Sequence, residues 1–212
     1  MWNLELVVHL PELVKTNQEG DLLLAMVSEE RLKKVLAKVV NPDEFLSSYG
    51  LRSLSKDHQK HPFVYKSNVV QYEPAESRSG LFGGNSNWRG PIWFPVNYLM
   101  IDALMVYYKY YGDSFVIPFP SRGNELVTLR QVALEISQRM LKIFTRDAAN
   151  NNHRAVFGGE SLFQQDPHWK DYIPFYEYFH GCEGAGLGAS HQTGWTALIA
   201  RVIFEIHHIL RK

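Results

Sequence analysis

Glu177 stands between Tyr176 and Tyr178, just ahead of a glycine-rich run that leads to Trp195. A carboxylate set among aromatic rings is a residue type that acid–base chemistry uses, because its surroundings can hold it in one charge state. A second stretch, Gly83 to Leu99, passes from a glycine-rich loop through Trp88, Arg89 and Trp93 into an apolar segment. Flat apolar rings beside fixed amide and guanidinium donors suit a sugar, which offers a face to stack on and hydroxyls to hydrogen-bond. Both stretches also have a purely structural reading: a Trp/Pro corner with buried hydrogen bonds, and a glutamate tied to a tyrosine hydroxyl. Asn87 and Asn97 suit sugar hydroxyls or backbone capping equally. Trp195 reads as a stacking ring or as the anchor of the last helix, and Gly84, Gly90 and Gly194 let backbone approach closely.

Taken together, these stretches resemble glycoside hydrolase family 63, in its bacterial branch rather than as the eukaryotic processing glucosidase. The similarity runs from about Ser28 to Arg211 and includes Tyr49-Gly50-Leu51-Arg52-Ser53-Leu54-Ser55, Tyr72-Glu73-Pro74-Ala75-Glu76-Ser77 and Asp166-Pro167-His168-Trp169. The resemblance implies hydrolysis of an α-glucosidic or related linkage with inversion and without a cofactor. It makes Glu177 the general base, with Glu183 as competitor, and places Trp88, Arg89, Trp93, Trp195 and Glu76 against the substrate. The family's general acid is an aspartate whose matching position falls before Met1; Asp102, Asp166, Asp171 and Glu76 are the substitutes within the chain. The resemblance also implies a mainly all-α fold, the C-terminal portion of an (α/α)6 barrel spanning 1–212 without an internal boundary. The expected partners are an oligosaccharide or glycoside, and a second copy or another chain that completes the barrel. The rival readings are a sugar- or partner-binding helical module without turnover, and a truncated fragment.

Bulk properties narrow the field. Lys plus Arg equals Asp plus Glu at 22 each, which argues against a nucleic-acid-binding stripe. A single cysteine, Cys182, forbids an internal disulfide and suits a reducing compartment. Residues 1–15 lack a signal-peptide pattern, and no apolar run approaches the roughly 20 residues that span a bilayer. The expected location is cytoplasmic, without membrane contact. His58 with His61, and His207 with His208, lack zinc-type spacing, so no metal is expected. Gly84 to Gly90 is not a phosphate loop, because no Lys-Ser/Thr follows.

Periodicity supplies the elements that must position these residues. Residues 4–15 read as a short helix interrupted by Pro11. Ser28 reads as the N-cap of a helix carrying Leu32, Val35, Leu36 and Val39, stopped at Asn41-Pro42. Residues 41–91 show no helical period, with a strand pair near 63–65 and 69–72. A helix over 94–111 aligns Leu99, Ala103, Val106 and Tyr110 and ends at Gly112. Residues 115–119 read as extended and 121–124 as a turn. Thr128 with Gln131 forms a capping-box pattern opening a helix over 129–144, with Val132, Ile136, Met140, Ile143 and Phe144 inward. Residues 147–157 read as a polar loop. The last helix, 193–210, gathers Leu198, Ile199, Val202, Ile206 and Ile209 on one face.

Overall fold

A computed structural model describes residues 14–81 and 87–211. The chain starts with an antiparallel pair, β1 (Val14–Thr16) and β2 (Leu22–Leu24), followed by helix α1 (Glu29–Val39). Ser28 caps α1 by accepting from the Arg31 N–H at 3.3 Å, and Glu29 and Glu30 pair with Lys33 and Lys34 one turn on. Two hairpins follow: β3 (Leu46–Ser47) with β4 (Gly50–Leu51), and β5 (Phe63–Tyr65) with β6 (Asn68–Val70). Helix α2 (Phe94–Tyr111) leads to the hairpin of β7 (Val116–Phe119) and β8 (Glu125–Thr128), whose last residue caps α3 (Leu129–Lys142). Then come the pair β9 (Arg146–Asp147) and β10 (His153–Arg154), short α4 (Ser161–Gln165), the pair β11 (Tyr178–Phe179) and β12 (Gly186–Leu187), one-turn α5 (Thr193–Thr196), and α6 (Leu198–Arg211).

The expectation of an all-α barrel portion is therefore corrected. Among the described residues, six two-stranded antiparallel pairs are interleaved with the helices, so the fold is mixed. The cause lies in the connections. Chain that leaves a helix must still satisfy its backbone N–H and C=O groups, and short ladders closed by turns do so locally. Ladders of two to four residues leave almost no alternation in the sequence to detect. The turn read at 121–124 is the bend of such a hairpin, which pairs Val116 with Thr128 through Phe119 with Glu125. The polar loop at 147–157 likewise contains the β9–β10 pair. Residues 1–13 and Gly84 lie outside the described residues; Val14 and Lys15, the tail of the first expected helix, belong to β1.

Helices α2, α3 and α6 pack together, with α3 in the middle. The expected inward residues Val132, Ile136 and Met140 of α3, and Ile143 at its C-terminal cap, are wholly buried. The last helix is split at Ala197, yet Ile199, Val202 and Ile209 are buried as expected. Helix α2 turns a different face inward from the aligned set. Phe94, Asn97, Ile101 and Leu104 are buried, while Leu99 and Val106 are exposed. This helix is apolar nearly all round, so its pattern does not single out the buried stripe.

Candidate functional site

Three loops meet where the candidate residues lie, and backbone hydrogen bonds fix them to one another. The Ile92 N–H donates to the Phe179 carbonyl at 2.8 Å and the Phe179 N–H returns to Ile92 at 2.9 Å. Ile92 also bridges Arg52, so the 50–53, 89–93 and 178–180 segments form one platform. Asn97 locks it from beneath. Its amide donates to the Leu51 and Trp93 carbonyls, and its Oδ1 accepts from the Leu51 N–H at 2.7 Å. That settles the two readings of Asn97 in favour of backbone capping, since its side chain is fully buried.

On this platform stands an aromatic cluster. The Trp93 indole lies parallel to that of Trp88, with centroids 4.0 Å apart and planes 3° apart. Its neighbours are Tyr178 at 5.0 Å and, edge-on, Trp195 at 5.8 Å. Trp93 is oriented by its Nε1–H, which donates to the Asn87 carbonyl at 2.9 Å. Trp93 and Tyr178 are buried, whereas Trp88 is 48% and Trp195 37% exposed. The buried rings thus support two ring surfaces that water still reaches, the arrangement that stacking on a sugar needs.

Two carboxylates meet this cluster at Tyr178. The Tyr178 hydroxyl donates to Glu76 Oε1 at 3.5 Å. Burial pushes its pKa up to about 12, helped by the charges of Glu76 and Glu177. Glu177 is half-buried and held by its own loop. Its N–H donates to the Ala189 carbonyl at 3.0 Å, and the Ala189 N–H donates back to Oε2 at 3.2 Å. Gly188, at φ +71°, makes that turn; a Cβ there would stand 2.9 Å from Glu177 Oε2. Oε1 of Glu177 accepts no hydrogen bond from another described residue. A carboxylate with one oxygen anchored and one unused can take a proton from a bound water.

The structure thus gathers Trp88, Trp195 and Tyr178 around Trp93, with Glu76 and Glu177 at Tyr178, a residue the sequence reading used only as a flank. Arg89 is placed otherwise. It is buried in an ion pair with Glu73 at 3.1 Å, donates to Ser79 Oγ at 3.1 Å and also donates to Ser77 Oγ. Its partners are residues on both sides of Glu76, so it fixes the turn that presents Glu76. The two glutamates and Ser77 in Tyr72-Glu73-Pro74-Ala75-Glu76-Ser77 were the signal for this network. Of the substitute acids, Glu76 alone touches the cluster among the described residues. Asp102 is exposed on α2, Asp166 accepts from the His168 N–H, and Asp171 pairs with Arg146 and Arg154. Glu183, the competitor of Glu177, sits beyond β11 on a different cleft of about 660 Å³.

Comparison with known proteins gives this geometry a class. Residues 21–117 match the glycosyl hydrolase family 63 C-terminal domain. An uncharacterized protein of Saccharomyces cerevisiae is 49% identical over 87% of the chain, which covers 17% of that relative. A mannosyl-oligosaccharide glucosidase of the same yeast is 28% identical over 86% of the chain and is covered to 16%. A probable mannosyl-oligosaccharide glucosidase of Schizosaccharomyces pombe is 25% identical over 82% of the chain and is covered to 15%. The chain is thus similar to glycoside hydrolase family 63, as the sequence resemblance implied, and it spans about a sixth of the length of these relatives. Among the described residues no helix is long and apolar enough to cross a membrane.

Proposed function

We propose that this chain carries the base-bearing, sugar-stacking part of a glycosidase that hydrolyses an α-glucosidic linkage with inversion. The observation that supports it best is Glu177, held by the Ala189 N–H with its other oxygen unused among the described residues, next to Tyr178 in the aromatic cluster that carries the exposed rings of Trp88 and Trp195. In this reading Glu177 takes a proton from the water that attacks the anomeric carbon. Trp88 and Trp195 hold the sugar, and Glu76 bonds a hydroxyl. Inversion also needs an acid on the opposite face, roughly 6.5–9.5 Å from the base. Such an acid must stay protonated at neutral pH, which calls for an apolar setting. Glu76 is exposed, so the acid is assigned to another segment of a longer protein, and exposed Leu99, Val106, Ile203 and Phe204 are the faces available to that segment.

The test is hydrolysis of a panel of α-glucosides by the chain, with Glu177→Gln beside it, circular dichroism on both, and NMR detection of the first-formed anomer. Turnover with inversion that Glu177→Gln abolishes supports the base role. A folded chain that binds maltose through Trp88 without turning it over supports the binding-module reading, which the exposure of Glu76 favours. Turnover that survives Glu177→Gln overturns the assignment.

A further inference from the structure

The cleft that holds Glu183 lies apart from the aromatic cluster. It encloses about 660 Å³ between Tyr49, the β9–β10 hairpin and the β11–β12 loop, within the volume range of small-molecule sites. Its wall is built rather than incidental. Gly184 lies against the Tyr49 ring so closely that a Cβ there would come within 2.7 Å of it. His180 Nδ1 accepts from the Cys182 and Glu183 N–H groups at 3.2 Å, which fixes the loop that carries Glu183.

Hydrogen-bonding capacity around this cleft is unspent. The Tyr49 hydroxyl, the Asn150 amide, the Lys142 ammonium and the Glu183 carboxylate have no hydrogen-bond partner among the described residues, and all four line the cavity. Arg154 contributes a buried Nε that likewise lacks a partner among them. Tyr49 is half-buried and Lys142, Asn150 and Glu183 are exposed, so their polar groups are open to a ligand in the cleft, while the Arg154 Nε is buried and, without a partner among the described residues, asks for an explanation. The lining carries acidic Asp147 and Glu183 together with basic Lys142, Arg146 and Arg154, so a ligand of either charge would meet its own sign somewhere. Hydroxyls, which both donate and accept, satisfy both kinds of group.

We propose that this cleft is a second binding site, for a neutral polyhydroxylated ligand of the oligosaccharide class. Tyr49, Asn150 and Glu183 take its hydroxyls, and the site is separate from the one at Trp88. It does not depend on Glu177 being a catalytic base.

The experiment is a titration of ¹⁵N-labelled chain with maltotriose and, separately, with inorganic phosphate, followed by amide chemical shifts. Three proteins are compared: the wild type, Trp88→Ala, and Glu183→Gln combined with Asn150→Ala. Glu183 and Asn150 are exposed, so the double variant tests binding without disturbing the core. The expected result is that maltotriose shifts amides of 147–154 and 182–185 in the wild type and in Trp88→Ala. The double variant should bind there roughly tenfold or more weakly, about the loss expected for two hydrogen bonds. Phosphate should leave these amides unmoved. Phosphate shifts there, an unchanged double variant, or loss of the signals in Trp88→Ala would each overturn the proposal. Failure at the Trp88 site alone would leave shifts in this cleft intact and so count only against the glycosidase reading.

Discussion

Arg89 and Glu73 face one another at 3.1 Å with only 4% and 8% of their side chains in contact with water. The pair joins the loop that bears Trp88 to the turn that bears Glu76, and the Glu73 N–H adds a 2.7 Å bond to the Arg89 carbonyl. Breaking a buried pair by removing one partner strands the other charge, at about 3–5 kcal/mol. Arg89→Ala is therefore expected to lower the free energy of unfolding by an amount in that range, read as a lower urea midpoint with an unchanged slope. Arg89→Lys should recover only part of it, because an ammonium cannot serve Glu73, Ser77 and Ser79 in the same fork. A stability loss below about 1 kcal/mol for Arg89→Ala would show that the pair is not closed in solution.

Alkaline titration probes the other side of the site. The Tyr178 hydroxyl keeps its proton up to about 12 in the folded chain, whereas an unfolded tyrosine releases it near ~10. Below pH ~10 both states are protonated and the contribution to stability is complete. Between ~10 and ~12 the unfolded chain ionises first, so stability falls as pH rises. Burial also raises Tyr72, whose hydroxyl lies 3.4 Å from Cys182 Sγ. Tyr178→Phe and Tyr72→Phe should each flatten the decline in stability above pH ~10, measured by denaturation at a series of pH values. A slope identical to wild type in Tyr178→Phe would show that its hydroxyl is solvated.

On the acid side the sensitive group is His180. Burial lowers its pKa, with Glu183 opposing the shift. The geometry agrees, since Nδ1 must stay unprotonated to accept from Cys182 and Glu183. Its contribution is complete above the unfolded value of about 6.5 and is lost as pH falls, because the unfolded chain binds the proton first. His180→Asn places an amide oxygen near Nδ1 and removes the titration. Its stability between pH 7 and pH 5 should change less than that of the wild type, as followed by thermal melts. Equal slopes would assign the acid sensitivity to other groups.

How far these features could be read from residues alone differs by element. The α1 cap, the capping box at Thr128 and Gln131, and the buried face of α3 follow from local rules, and the structure shows all three. The α2 face was not legible, because Leu99 and Val106 are as apolar as Ile101 and Leu104, and only tertiary contact chooses between them. The short strand pairs were mostly invisible, since ladders such as Leu46–Ser47 with Gly50–Leu51 carry no period. At the site, Trp88, Trp93 and Glu177 stood out by residue type, but the contact of Trp93 with Tyr178 that joins them depends on the Ile92–Phe179 bridge between distant segments. Arg89 drew attention as a sugar ligand because a guanidinium beside tryptophan fits that role. Its placement with Glu73 depends on burial, which no spacing expresses.

Gly188 offers the most direct probe of how Glu177 is held. At φ +71° an alanine bears the left-handed penalty of roughly 1–2 kcal/mol. Its Cβ would also stand 2.6 Å from the Tyr178 ring and 2.9 Å from Glu177 Oε2. Gly123 has a similar φ of +65° but nothing within 4 Å of its Cβ, so Gly123→Ala measures the backbone penalty alone. Gly188→Ala should therefore cost more than Gly123→Ala in urea denaturation, by the strain of moving Glu177 and Tyr178 aside. It should also weaken maltose binding and any α-glucoside turnover at temperatures where both variants remain folded, while Gly123→Ala leaves them unchanged. Equal losses of stability in the two variants, with binding intact in both, would mean that Glu177 moves freely and that the Ala189 contact does not fix the carboxylate.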